Sequence, residues 1–481
     1  MPGWPAPQPK PVRKPWPKAK DWARYHDPLA VALANASLLG AGYVLLRRRG
    51  LAVLTDLVTV LLVILLVTAF RTVWFEVLVG VWWAALVAHG WYLAGGRTLR
   101  FAVRRQRLTA LYFLVPVLLT AAFLRFDATT IDGALADARQ AGSCAQARAA
   151  LSRIWFGDRV ADAPMTVRGD RTALACQRLS AAGAQLDRTL ASGDTAALRS
   201  GFAGLGGVLA DLPGHGRMVG RVLDGFLAGL PTDNACHTAA ITDWLRARRP
   251  DHTALDRASA VVPRVAPSAL LGCADGLMST EDWARARSRY RQFADQYPDD
   301  ARVDRARKGI TKATLAIELA NVRSLLSGGT GTQPQYCSSP AKYSGAAPYR
   351  RGTNRAMFFG NDEYTDRLPR SWKVDDPAKA VLIVCAGTTT FGSAVRTCPY
   401  TSASHPDFPV DVTFHKIAIP VKAYELRTGR LVVNRKVQIS GSSCPQTIHY
   451  TSYGYDIGPP SQYVDPSTSD VRSAFRSLVV R

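Results

Sequence analysis

The sequence predicts a multi-domain chain: an α-helical membrane domain, an α-helical solenoid-type domain, and a C-terminal α+β or β-rich domain containing disulfides. Three observations carry this. Apolar runs of membrane length occur only before residue 127. Residues 127–326 read as helix between regularly spaced breakers. Beyond about residue 379 the pattern changes to strand-length alternation. A chain of 481 residues has room for this many parts.

Residues 1–25 are Pro-rich and basic and can bury no core, so a disordered cytoplasmic tail is expected there. Its Lys10, Arg13, Lys14, Lys18, Lys20 and Arg24 would touch anionic lipid heads. No cleavable signal peptide is expected before the membrane domain, 26–126. Its first apolar stretch, 29–46, is barely long enough to span and carries Asn35, Ser37, Gly40 and Gly42. Arg47, Arg48 and Arg49 follow at once. Spanning helices are expected at 51–70, 73–94 and 108–126, the first two forming a hairpin across Arg71-Thr72. The second is Trp-rich, as at membrane interfaces, and Pro116 should kink the third.

Charge orients these helices. Residues 1–126 carry sixteen Lys/Arg against four Asp/Glu, a surplus of +12 out of the chain's +23. If 29–46 crossed and the N-terminus were inside, Arg47–Arg49 and the loop with Arg97, Arg100, Arg104, Arg105 and Arg107 would lie outside, against the positive-inside rule. If 29–46 dips in and returns, or lies in the interface, every basic cluster is cytoplasmic and the rest of the chain is exported. A four-span arrangement with the N-terminus outside also exports the rest, but strands the tail's six basic residues outside. The cysteines agree with export. Cys144, Cys176, Cys236, Cys273, Cys337, Cys385, Cys398 and Cys444 all lie beyond the last apolar run. They are even in number and form no C-x-x-C pair, which favours disulfides in an oxidising compartment over zinc or redox sites. Order and spacing suggest Cys144–Cys176 and Cys236–Cys273 as bridges between helices. The stretch from Asn35 through Gly40, Gly42 and Tyr43 to Gly50 resembles the hairpins of small bacterial two-helix membrane modules.

Asp56, Glu76 and His89 are ionisable groups within or near the bilayer. One reading is an ion or proton path. The blander reading is that Asp56 and Glu76 reach headgroups or water from near helix ends, and it is preferred.

In 127–326 the expected breakers are Gly157-Asp158, Gly169-Asp170, Gly193-Asp194, Pro213-Gly214, Pro231-Thr232, Pro250-Asp251, Pro263 and Pro298-Asp299. Ser143 can cap a helix running to Trp155, and Asp194 or Thr195 can cap another. One helical hairpin, Pro267 to Pro298, resembles a tetratricopeptide repeat. Leu270 and Cys273 take the large apolar positions of its first helix, Ala274 the small one and Leu277 the aromatic one. Ala286 and Tyr290 match the small and aromatic positions of the second helix, and Pro298 the closing proline. Phe293 stands where a small residue is usual. The resemblance implies two helices approaching closely across small residues, within a stack that presents an extended binding face.

Residues 327–371 are rich in Gly, Ser, Pro and Tyr without period and are expected as a linker, pinned in part by Cys337. In the C-terminal domain, 372–481, strands are expected at Lys379–Ala386 and Val410–Leu426, with a bulge at His415-Lys416. Pro420 marks the second as an edge or broken strand. Thr428-Gly429 should turn a hairpin. Leu431, Val433, Val437 and Ile439 should share one face, and a capped helix should span 467–480. Glu425 to Leu431 (ELRTGRL) and Cys444-Pro445 resemble a module of exported actinobacterial membrane proteins.

No P-loop, HExxH, GxSxG or kinase signature occurs, so no catalytic residue, cofactor or metal site is assigned. His405 and His415, with Asp407 and Asp411 between, are a weak metal-ligand pattern, better read as solvated side chains. Tyr450, Tyr453 and Tyr455 can form an aromatic platform for glycan or peptide, though loop tyrosines more often pack on a sheet. No Lys/Arg-rich helix interleaved with aromatics and no zinc-finger or RNA-binding signature is seen, which argues against nucleic acid. The expected partners are the lipid membrane, a protein and an anionic envelope polymer. The expected role is a membrane-anchored scaffold. The competing reading is a transport or assembly subunit with its site in the membrane domain or the C-terminal domain.

Overall fold

The computed structural model describes residues 26–95, 104–328, 333–402, 405–451 and 458–481. It divides into two compact units, 1–266 and 267–481.

The first unit begins with two short helices, α1 (Pro28–Asn35) and α2 (Ala41–Leu45). At 1.5 Å per residue they are about 12 and 8 Å long, so neither crosses a bilayer. Asp27 caps α1, accepting from the Leu29 amide at 3.1 Å. The chain between them turns through Gly40 at φ 55°, a left-handed conformation that glycine adopts without strain. Residues 29–46 are thus a helical hairpin.

Among the described residues three helices are long and apolar enough to cross a membrane: α3 (Arg49–Thr68), α4 (Val73–Leu93) and α5 (Arg104–Ala141). Their outer faces expose Leu54, Leu57, Leu61, Trp74, Leu78, Leu119 and Phe123, a surface that suits lipid rather than water. The third runs through Pro116 and does not stop at Phe126. It continues because Ala128, Ile131, Leu135 and Ala138 are buried among the helices that follow. The expected boundary between membrane and helical domains therefore lies inside one continuous helix.

Those helices are α6 (Cys144–Leu151), α7 (Phe156–Ala161), α8 (Ala163–Ser192), α9 (Thr195–Asp211), α10 (Gly216–Ala228) and α11 (Ala235–Ala247). Ser143 and Asp194 cap α6 and α9 as expected, accepting from the Gln146 and Ala196 amides. The α6 helix is shorter than expected, stopping four residues before Trp155. Two expected breakers are not breaks. Gly157-Asp158 lies within α7, where Asp158 accepts from the Trp155 amide at 3.1 Å. Gly169-Asp170 lies within α8, where a Cβ on Gly169 would stand 3.0 Å from Leu151 Cδ2. That glycine permits close helix packing rather than ending the helix.

The second unit contains most of α12 (Val262–Ser279), α13 (Trp283–Gln296), α14 (Val303–Ser327) and a six-stranded sheet. The stretch expected as one helical domain, 127–326, is therefore split. The physical reason is that Val322, Leu325 and Leu326 of α14 join the sheet's core.

The strands are β1 (Ala356–Phe359), β2 (Leu382–Ala386), β3 (Thr390–Ser402), β4 (His405–Glu425), β5 (Arg430–Ile439) and β6 (Ser461–Tyr463). β4 is central. β2 and β3 follow one another along one side of it, β5 and β6 along the other. The short helix α15 (Asp362–Thr365) follows β1, and α16 (Thr468–Val479) closes the chain. β2 is buried on both faces, which is why it reads as a continuous apolar run. Leu382, Val384 and Ala386 share a core with Val471, Phe475 and Leu478 of α16. Ile383 and Cys385 point the other way, into a core with Val322, Tyr336 and Tyr424.

Four expectations for this domain change. Residues 327–371 are not a bare linker: Tyr336, Cys337 and Ala346 are buried, and β1 pairs with β2 in parallel. Pro420 is not on an edge strand. Its carbonyl accepts from the Gly387 amide at 2.8 Å, so the side where its N–H would point faces the gap between β2 and β3. Leu431 is 47% exposed, because a register shift between Leu431 and Val433 turns it away from the core that Val437 and Ile439 enter. The phase slip in β4 is present: core residues pass from Val412 and Phe414 to Ile417 and Ile419, while the extra residues of the two register shifts opposite it, at 391/394 and 394/396, lie on β3.

Candidate functional site

The polar residues of the membrane helices gather at two opposite ends. At the first end Asp27 pairs with Arg107. Arg47–Arg49 lead into α3, and Arg104, Arg105 and Arg107 begin α5, so these basic clusters share this end. Arg97 and Arg100 lie outside the described residues. Asn35 enters the bundle at this end and donates from Nδ2 to the Leu86 carbonyl at 3.2 Å. Its amide fills the space beside two glycines: a Cβ on Gly42 would stand 2.4 Å from Asn35 Oδ1, and one on Gly90 2.3 Å from Asn35 Nδ2. Tyr43 Oη lies 2.8 Å from His89 Nδ1.

The hairpin reaches deep. The Ala36 carbonyl accepts from Trp83 Nε1 at 3.0 Å, and Trp83 is the middle residue of the 21-residue α4. Backbone that leaves helical geometry at this depth needs protein partners, because lipid offers none. Trp83 supplies one, and Ser37, whose hydroxyl donates to the Ala34 carbonyl at 2.7 Å, uses another. Trp82 braces the same region, donating to Thr59 Oγ1 at 3.1 Å. Asp56 stands beside the bend: a Cβ on Gly40 would lie 3.0 Å from Asp56 Oδ1. Asn35 Oδ1 and Asp56 Oδ1 are both buried and have no hydrogen-bond donor.

At the second end Glu76 and Arg71 are both partnered. Glu76 Oε1 accepts the Ala163 amide at 3.1 Å and lies 3.8 Å from Arg125. Arg71 pairs with Asp170 at 3.0 Å. Glu76 thus seats the start of α8 against the membrane helices. The three ionisable residues do not line one path: Asp56 and His89 lie at one end, Glu76 at the other. Trp82, Trp83 and Gly90 carry as much of the first end's geometry as Asn35 does. In the sequence the tryptophans mark only interfacial anchors, since their hydrogen-bond partners sit on other helices.

In the second unit, Leu270, Ala274, Ala286 and Tyr290 are buried, Leu277 is half-buried and Pro298 is exposed. The Tyr290 hydroxyl donates to Asp275, which also pairs with Arg305. Burial, with this carboxylate beside it, raises the tyrosine's pKa well above its usual range. A Cβ on Gly309 would stand 2.6 Å from the Tyr290 ring, so α13 and α14 pack closely there.

The sheet carries a cleft of about 450 Å³. Tyr400, Val410 and Val412 form its floor, and Ile448, His449 and Tyr450 one wall. Tyr453 and Tyr455 of the expected aromatic platform lie outside the described residues. The Cys398–Cys444 disulfide and the Tyr400 hydroxyl, which donates to the Pro445 carbonyl at 2.7 Å, tie that wall to β3. His405 and His415 are ten residues apart on one strand, roughly 30 Å at strand spacing. His415 instead contacts the Gly392 carbonyl and packs on Phe391. Among the described residues no group of three His, Cys, Asp or Glu is placed to hold a metal.

All eight cysteines are disulfide-bonded. Cys144–Cys176 joins α6 to α8. Cys337–Cys385 pins the expected linker to β2. These bridges point to an oxidising compartment. Comparison with protein-family models, with curated proteins and with solved structures finds no match.

Proposed function

We propose that this chain is a membrane-anchored extracytoplasmic interaction protein of a bacterial cell envelope. The observation that carries the reading is the polarity of the first unit. Its basic clusters lie at one end of the apolar bundle, and the disulfide-bonded helices α6 and α8 lie at the other. The positive-inside rule and the disulfides then favour the same orientation, with the N-terminus inside and everything after α5 outside. The re-entrant shape of 29–46 supports it, since an odd number of crossings remains. In this reading the tetratricopeptide-like helices offer a surface for a protein or an anionic envelope polymer, and the cleft at Tyr400 and Val410 receives an extended segment of the partner.

The test labels intact cells with a membrane-impermeant maleimide. No cysteine should react until a reductant is added, after which Cys398 and Cys444 should label without lysis. Cysteines that react only after lysis, and without reductant, would place the domains in the cytosol. Replacing 26–126 with an unrelated anchor of the same orientation tests the role itself. Retained complementation of a deletion strain is the expected result, and its loss would favour a working site in the membrane helices.

A further inference from the structure

We propose that the bend of the re-entrant hairpin is a binding site for one small monovalent cation, a proton or Na⁺, held by the Asp56 carboxylate with the Asn35 side-chain oxygen beside the same turn. Four observations lead there. The hairpin breaks helical geometry over residues 36–40, with Ala36 level with the middle of α4 and Gly40 against Ala52 of α3. Two side-chain atoms at this end of the bundle are buried without a partner, and both are oxygens, Asn35 Oδ1 and Asp56 Oδ1. Asn35 is 1% exposed, so water does not reach its amide from outside. The two oxygens flank a single Gly-Ala-Gly turn, Asp56 Oδ1 against Gly40 and Asn35 Oδ1 against Gly42.

An acceptor oxygen buried without a donor is costly, and a carboxylate within the bilayer is more so. What the turn lacks is positive charge. An anion is excluded by the carboxylate, and one carboxylate with one amide oxygen matches a single charge. Among the described residues no ion pair joins a basic side chain to Asp56. Arg107 pairs with Asp27. Arg49 begins α3 seven residues before Asp56, about 10 Å along the helix. His89 faces Tyr43, not Asp56. Glu76 is the internal contrast: it has an amide and a guanidinium, and calls for no ligand. This site stands apart from the interaction role proposed above.

The test uses the full chain in lipid nanodiscs and dicyclohexylcarbodiimide, an apolar reagent that modifies protonated carboxyls. Modification of the Asp56 peptide is read by mass spectrometry. In Na⁺-free buffer Asp56 should be modified, and Asp56→Asn should remove the signal while the protein elutes as wild type. If the site takes Na⁺, NaCl at ten times its dissociation constant should slow modification about tenfold. If it takes only a proton, modification should fall as pH rises and ignore NaCl. Either result supports the site and names its occupant. An Asp56 that stays unmodified in Na⁺-free buffer at every pH, or a modification rate insensitive to both pH and NaCl, would overturn it. Should Asp56→Asn fail to fold, Asp56→Glu keeps the carboxyl and should retain the same response.

Discussion

Asp56 and Glu76 are carboxylates toward opposite ends of the membrane bundle, and the protein treats them in opposite ways. Glu76 accepts an amide and faces Arg125, so it works as a dock between the membrane helices and α8. Asp56 has a buried oxygen with no donor, beside a bend that the surrounding tryptophans and Asn35 hold in place. Both are acids in the first half of a membrane helix. The difference lies in what other helices bring to each. An intramembrane acid is therefore informative only once its neighbours are known.

Forcing the hairpin out of the bundle is the strongest way to break this contrast. Gly90→Leu puts a side chain where the Asn35 amide sits and should destabilise by about 3 kcal/mol. A probe cysteine at Leu39 should change its reactivity toward lipid-soluble reagents in that variant. Unchanged reactivity would mean that the hairpin is not held by this packing.

A smaller loss is expected at the docking end. Glu76→Ala removes the acceptor for the Ala163 amide and should cost about 1–2 kcal/mol, read as a lower unfolding midpoint in nanodiscs. Asp56→Asn, by contrast, should change stability by no more than about 0.5 kcal/mol in Na⁺-free buffer, because no protein donor is lost. Equal losses at the two sites would erase the distinction.

The smallest effect belongs to a carboxylate outside the membrane. Thr428 Oγ1 and the Tyr349 amide donate to Glu425 and hold its carboxyl below the ordinary glutamate range. A depressed folded-state pKa gives stability that is present above the unfolded value, about 4.3, and lost as pH falls through the folded value. Glu425→Gln should therefore flatten the acid limb of the unfolding profile below about pH 4 and leave the neutral limb unchanged. An unaltered acid limb would show that this turn does not contribute.

Much of the architecture is legible in the chain. The apolar runs at 51–70 and 73–94 correspond to α3 and α4, and Arg71-Thr72 to the turn between them, because length and hydropathy alone decide what suits a bilayer. Cys144–Cys176 is legible from order and spacing. So are the buried strand at Leu382–Ala386, the turn at Gly429 and the α16 helix capped by Ser467. β3 is harder to see: its residues are mostly exposed and polar, so no alternation marks it, and it forms by pairing with β4. β1 hides in an aperiodic stretch because a parallel neighbour beyond the next helix, β2, holds it.

The sequence by itself determined which segments are apolar enough for a membrane, where charge and cysteine separate, and which short stretches cap and turn. Those properties belong to neighbouring residues and need no partner. Only the tertiary structure decided that 29–46 turns back within the bundle, that α5 runs on past Phe126, and that Glu76 is partnered while an Asp56 oxygen is not. Each depends on a donor, an acceptor or a gap supplied by another helix: the Leu86 carbonyl, the Trp83 indole, the Ala163 amide, and the space left at Gly42 and Gly90.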